Sequence, residues 1–209
     1  AYGMEVKDVI SEVHFIDIKS RKLNKLRNID CDFDYRDSIF KHELKGRAVI
    51  TKVIYKLSKT PLNKTNYGAI KEELKALNLT ANPKTIAKAV SNIRNRKLPN
   101  PAQLGNSGSF FKNPIIETSK FVELKKEFPA IISYKISETE TKIGAAWLID
   151  NAGIKGYRKG DAGVHQKQAL VLVNYGEATG LEISHLAKEI QKLIKEKYGI
   201  RIEPEVNIL

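Results

Sequence analysis

The stretch Leu98-Pro-Asn-Pro-Ala-Gln-Leu-Gly-Asn-Ser-Gly-Ser109 limits what this chain can fold into more than any other. Its prolines remove backbone donors and its paired glycines admit left-handed backbone, so it is predicted to be a loop and a boundary between domains. The parts on either side differ in charge. Residues 1–98 carry 21 Lys and Arg against 11 Asp and Glu, a net of +10, whereas residues 99–209 carry 15 against 13. Such an excess draws anions: nucleic acid, a dinucleotide, a nucleotide sugar or an acidic partner domain; equally, it suits a solvated lysine-rich surface. No arginine-rich run or aromatic and basic RNA-binding motif accompanies it, so small anions rank above nucleic acid and no nucleic-acid partner is expected.

Other classes are narrowed by what the sequence lacks. No apolar run approaches the roughly 20 residues of a membrane span, so no membrane partner is expected. A single cysteine, Cys31, leaves no intrachain disulfide or Cys-rich metal site and suits a cytoplasmic protein. The four histidines have no metal-ligand spacing, so no metal is expected, and His165 reads as structural. The opening Ala1-Tyr2-Gly3, with neither an initiator Met nor a signal peptide, reads as a cut.

Periodicity sketches the elements. Partial alternation over Glu5–Ile18 and Arg47–Leu57 predicts strands, with Lys19–Arg27 a turn-rich connection. Helices are predicted over Tyr67–Leu77, from the N-cap Asn82 and Pro83 to about Leu98, over Glu117–Phe128, over Gly144–Asn151, and over Leu181–Tyr198 with Gly199 as the stop. Strands are predicted over Ala169–Asn174 and Ile200–Leu209. The fold class expected is α+β.

The segment Gly105-Asn106-Ser107-Gly108-Ser109-Phe110-Phe111-Lys112-Asn113-Pro114 concentrates backbone freedom, hydroxyls, an ammonium and an amide. By composition alone it is a Gly/Ser turn before a buried Phe-Phe pair. Its order, however, resembles the signature of the UDP-N-acetylenolpyruvoylglucosamine reductases nearly residue for residue. Further segments similar to that family follow in its order: Ala1-Tyr2-Gly3, Tyr35-Arg36-Asp37-Ser38-Ile39-Phe40-Lys41, Arg96-Lys97-Leu98-Pro99, Ala145-Ala146-Trp147-Leu148-Ile149-Asp150, Lys155-Gly156, His165 to Leu172, and Glu203-Pro204-Glu205-Val206. The resemblance therefore runs the length of the chain.

The resemblance implies the second half of a flavin-binding lobe (1–98), a smaller α+β substrate-binding domain (99–199) and a tail (200–209) returning to the flavin side. It implies that a flavin-binding lobe with phosphate loops precedes this chain, which alone would lack tight FAD binding. The reaction implied is NADPH-dependent, FAD-mediated reduction of UDP-N-acetylglucosamine enolpyruvate in peptidoglycan synthesis. A nucleotide-sugar-binding module without redox activity is the alternative.

Carried over by position, Ser109 is the proton donor, and Arg36 and Glu205 stabilise the enolate around the substrate carboxylate. Tyr67 closes over the diphosphate, although it also heads the apolar stripe of its predicted helix. Lys97, Asn113, Lys155 and Gln168 contact substrate, and Tyr2 and Arg94 contact flavin. Without the resemblance, Arg36 is equally a salt-bridge partner of Asp34 or Asp37, and Glu205 a solvated charge at a strand end. Ser107, Asp161 and the stretch Lys19–Asp34 depart from the family pattern.

Overall fold

The computed structural model describes residues 2–67 and 69–208, and the chain divides into two compact units, Ala1–Ile93 and Arg94–Leu209. In the first unit β1 (Ile10–Asp17), β2 (Leu23–Arg27) and β3 (Ala48–Tyr55) form an antiparallel sheet in the order β2-β1-β3. Alternation along β1 buries Val13, Phe15 and Asp17. Asp17 is accommodated because its carboxylate accepts hydrogen bonds from the Ser20 N–H at 2.7 Å and the Arg47 guanidinium at 3.0 Å. These bonds, led by that of Ser20, hold its carboxyl below the usual range. On the opposite face Leu23, Ile16 and Val49 form one cross-strand row and are 67%, 39% and 51% exposed.

The expected connection over Lys19–Arg27 thus contains a strand. Lys25 and Arg27 sit on a sheet edge, where charge is tolerated, and their backbone is held by its ladder to β1. Two helices follow, α1 (Ile70–Ala76) and α2 (Pro83–Lys97), packing Ile70, Leu74, Ala89 and Ile93 into a small core with Tyr2 against it. α2 opens as the sequence predicts: Asn82 Oδ1 accepts from the Thr85 N–H at 3.0 Å. α1 starts at Ile70 rather than at Tyr67, because Ala69 is outside helical backbone, and Tyr67 therefore does not head its stripe. Ala1, Gly68 and Leu209, which fall in the motifs and predicted elements, lie outside the described residues.

The second unit runs β4 (Gly105–Ser109), β5 (Ile115–Glu117), α3 (Thr118–Glu127), β6 (Ser133–Lys135), β7 (Glu140–Ile143), α4 (Ala145–Asn151), β8 (Arg158–Lys159), β9 (Ala162–Val164), β10 (Val171–Asn174) and α5 (Gly180–Tyr198). Its sheets are β4-β10-β9-β8 and β5-β7-β6, both antiparallel. The chain is α+β. α5 is the best-specified element: Thr179 Oγ1 accepts from the Glu182 N–H while the Glu182 carboxylate accepts from the Thr179 N–H. One face of α5 buries Leu186, Ala187, Ile190 and Ile194 in the core that also holds Val164 and Leu172. Each large aliphatic side chain contributes roughly 1.5–3 kcal/mol there. Tyr198 closes the helix among Phe128 and Trp147, its hydroxyl donating to Asn151 Oδ1 at 2.7 Å, and burial pushes its pKa up to about 12.

Two expectations fail in this unit. The Gly/Ser segment is not all loop: residues 105–109 form β4, because β10 supplies the ladder bonds that such weak strand formers need from a partner. The expected strand over 200–209 is reduced to one bridge, Phe111 with Pro204, since proline has no N–H to continue a ladder. Among the described residues no helix is long and apolar enough to cross a membrane.

Gly199 ends α5 in left-handed backbone at φ 64°, its N–H donating to the Lys195 carbonyl at 2.9 Å. Gly199→Ala is expected to lower stability by about 1–2 kcal/mol in urea unfolding, with Gly199→Asn losing less. An unchanged midpoint for Gly199→Ala would show that the cap contributes nothing.

Candidate functional site

β4 delivers Ser109 to an exposed strand end, and its glycines are needed for the delivery. A Cβ on Gly105 would meet the Asn174 Cβ at 3.4 Å, and Gly108 has φ +71°. Asn106 braces the bend: its Oδ1 accepts from the Gly108 N–H at 3.0 Å and its Nδ2 donates to the Leu104 carbonyl at 2.8 Å. Directly after Ser109 the chain plunges into the core, with Phe110 and Phe111 buried and their rings 5.1 Å apart. That anchor leaves the hydroxyl little freedom to drift.

The C-terminal tail returns beside this anchor. The Lys112 N–H donates to the Glu203 carbonyl at 2.9 Å, and the Glu205 N–H donates to the Phe110 carbonyl at 2.8 Å. Glu205, half-buried, is thereby fixed next to the neighbour of Ser109, so the fold brings these two predicted residues together.

Three further predicted residues of the second unit, Asn113, Lys155 and Gln168, have partners that sequence reading missed. Asn113 Oδ1 accepts from the Ala145 N–H at 2.9 Å, capping α4 from 32 positions earlier. Lys155 pairs with Asp150, reaching back to the last turn of that helix. Gln168 is half-buried and its carbonyl accepts from the Val171 N–H at 3.0 Å, closing the turn into β10. Arg94 and Lys97 are exposed in the last turn of α2. Asp161 ties two loops: one oxygen takes Arg158 at 2.7 Å and the other the Glu177 N–H at 2.8 Å.

The first unit holds Arg36, Tyr2 and Tyr67. Arg36 sits at φ 56° in a tight turn closed by reciprocal backbone bonds between Asp34 and Asp37, with its guanidinium 5.8 Å from the Tyr35 ring centroid. The Asp37 carboxylate, one of the two acids weighed against Arg36, is engaged by His42 at 2.7 Å and the Ser38 N–H at 2.9 Å. Those bonds, led by His42, hold its carboxyl below the usual range. Tyr2 and Tyr67 meet edge to face at 6.0 Å, and a Cβ on Gly3 would lie 3.3 Å from the Tyr67 Cβ. No cluster of His, Cys, Asp and Glu able to hold a metal occurs among the described residues.

Residues 100–209, which contain Ser109, Glu205 and the strands that position them, match the family described as UDP-N-acetylenolpyruvoylglucosamine reductase, C-terminal domain. The chain belongs to that family. It is 51% identical to the UDP-N-acetylenolpyruvoylglucosamine reductase of Flavobacterium johnsoniae and 46% identical to that of Chromobacterium violaceum, with the whole chain aligned in both cases. It spans 63% and 62% of the length of those relatives. Its fold is similar to the crystal structure of UDP-N-acetylenolpyruvylglucosamine reductase from Thermus caldophilus, with a TM-score of 0.57 at 21% identity, covering 96% of this chain and 53% of that one.

The cap on α4 makes a prediction independent of any ligand. Asn113→Ala is expected to cost about 1 kcal/mol, whereas Asn113→Asp keeps an acceptor at the helix N-terminus and stays close to wild type. Thermal melts in which both variants match the wild type would remove Asn113 from the scaffold.

Proposed function

We propose that, within its full-length protein, this chain carries the substrate-handling part of an NADPH-dependent, FAD-mediated reduction of UDP-N-acetylglucosamine enolpyruvate to UDP-N-acetylmuramate, a cytoplasmic step of peptidoglycan synthesis. The observation that carries the reading is Ser109: a hydroxyl exposed at a strand end, locked between left-handed Gly108 and buried Phe110, with Glu205 fixed alongside. In this reading residues 1–98 complete a flavin-binding lobe, 99–199 bind substrate and 200–209 return to the flavin side.

Tyr2, half-buried against Tyr67, and the exposed cation Arg94 offer an aromatic edge and a positive charge, which suit a planar cofactor bearing phosphates. In this reading each would contact part of the FAD. When bound, the flavin supplies hydride taken from NADPH. The chain's own residues handle the charge and the proton that follow. Hydride addition to one alkene carbon leaves the other as a carbanion conjugated with the carboxylate, and the Ser109 O–H donates its proton there. Solvent restores the hydroxyl proton. A neutral serine is a weak acid, so the step depends on stabilising the enolate first. Arg36 would fork the substrate carboxylate, and Glu205, protonated or hydrogen-bonded, would share that charge. Lys97, Lys155 and Tyr67 would take the diphosphate, with Lys155 exchanging Asp150 for a phosphate oxygen, while Asn113 and Gln168 contact the nucleotide sugar.

The test is to separate the two halves of the reaction in the full-length protein. Ser109→Ala is expected to oxidise NADPH at close to the normal rate and to reduce the enolpyruvyl substrate several powers of ten more slowly, each tenfold being about 1.4 kcal/mol of barrier. Ser109→Cys should recover part of that rate, and Ser107→Ala should be nearly silent. Stopped-flow absorbance follows both halves, and normal substrate reduction by Ser109→Ala would assign the proton to another group.

A further inference from the structure

Arg36 occupies backbone that its residue type does not favour. It is the third residue of the turn Asp34–Asp37, whose ends exchange backbone hydrogen bonds at 3.1 and 3.2 Å, and its φ of 56° lies in the left-handed region where Gly or Asn is the usual choice. Left-handed backbone alone marks no function, since Arg21 shares it at φ 58°. At Arg36 it is joined by a side chain that reaches back to hold the turn. The Lys41 ammonium donates to the Arg36 carbonyl at 2.6 Å from five positions further on.

Lys41 can do this because its own backbone is fixed. Ile39–Lys41 form a single 3-10 turn, the Lys41 N–H donating to the Ser38 carbonyl at 2.9 Å and the Leu44 N–H to the Ile39 carbonyl at 3.1 Å. Phe40, inside that turn, sets its ring edge to face against buried Phe15 of β1, the centroids 5.7 Å apart. The sheet thus anchors the 3-10 turn, and the last residue of that turn grips Arg36. The far end of Asp34–Asp37 is braced separately, by His42 and the Ser38 N–H on the Asp37 carboxylate. Water can satisfy the Arg36 carbonyl as an acceptor, but water does not tie it to the sheet. Disfavoured backbone persists where its surroundings over-determine it, and Lys41 supplies one of those constraints.

Resting on the reading of Arg36 as the fork for the substrate carboxylate, we infer that Lys41 is a positioning residue for that reaction, its hydrogen bond to the Arg36 carbonyl fixing the backbone from which the guanidinium is launched. Lys41 acts through Arg36 rather than on the substrate. A guanidinium grips a carboxylate through two parallel bonds, so it loses more from a wandering backbone than a point charge does. Glycine at position 36 would suit the turn and carry no guanidinium; the grip of Lys41 lets arginine occupy the same backbone.

The experiment is calorimetry on the full-length protein with two probes: UDP-N-acetylmuramate, which retains the carboxylate, and UDP, which lacks it. Lys41→Met, which keeps the stem and loses the donor, should weaken UDP-N-acetylmuramate binding by roughly threefold to tenfold, the worth of one hydrogen bond, and leave UDP binding unchanged. Lys41→Ser, polar and too short to reach the carbonyl, carries the same expectation and replaces Lys41→Met if that variant fails to fold. Lys41→Arg, which keeps a donor of similar reach, should stay within about twofold of wild type. Arg36→Ala should weaken binding of UDP-N-acetylmuramate and not of UDP, and adding Lys41→Met to it should change nothing further, because the lysine acts through that guanidinium. No loss in the Lys41 variants, equal losses for both probes, no rescue by Lys41→Arg, or losses that add to those of Arg36→Ala would overturn the inference alone. An Arg36→Ala protein that binds both probes like the wild type, or a wild type that binds neither, would overturn the reading beneath it as well.

Discussion

The second unit depends on the backbone ladder of β10. Val171–Asn174 is a short strand with buried side chains, and it lends hydrogen bonds in two directions: to β9, which carries the core against α5, and to β4, which has almost no side chains with which to hold itself. A Gly-Asn-Ser-Gly-Ser sequence has little strand preference of its own. It is ordered by a neighbour that is itself ordered by hydrophobic burial. The proposed chemistry is thus built on residues suited to backbone shape, and their stability is supplied from elsewhere in the sheet.

The same economy appears at the return of the C-terminal tail. Two backbone bonds on either side of the Phe111–Pro204 bridge suffice to fix Glu205, because Phe110 and Phe111 are already immobile. Pro204 stops the pairing from growing, so the carboxyl side chain stays at the rim of the unit. Asn113 ties the segment to α4, and Lys155 ties α4 to the loop beyond it. Residues proposed to contact the ligand double as fasteners here. A substitution at Asn113 or Lys155 therefore changes the local structure as well as the proposed ligand contact.

How much of this was legible varied with the kind of force. Helix ends were readable because they rest on local chemistry: Asn82 with Pro83, and Gly199 after α5. β2, β4 and the tail were misread because a strand is defined by its partner, which sits far away in sequence, and because lysines and glycines carry no burial signal. Ser109 is singled out by the order of its motif, and its exposed place at the end of β4 follows from pairing with β10. The cap at Asn113 and the pairing of Lys155 were not legible, since each depends on tertiary contacts.

The cross-strand row of Leu23, Ile16 and Val49 has a consequence for handling the chain. Three exposed apolar side chains aligned across a sheet whose outer strands, β2 and β3, are both edges give two molecules matching surfaces on which to meet. Loss of material by that route scales with the square of concentration, whereas folding does not. Dilute refolding and cold, low-concentration storage therefore favour the monomer, and a hydrophilic replacement at Leu23, the most exposed of the three, is the least invasive way to slow the competing reaction.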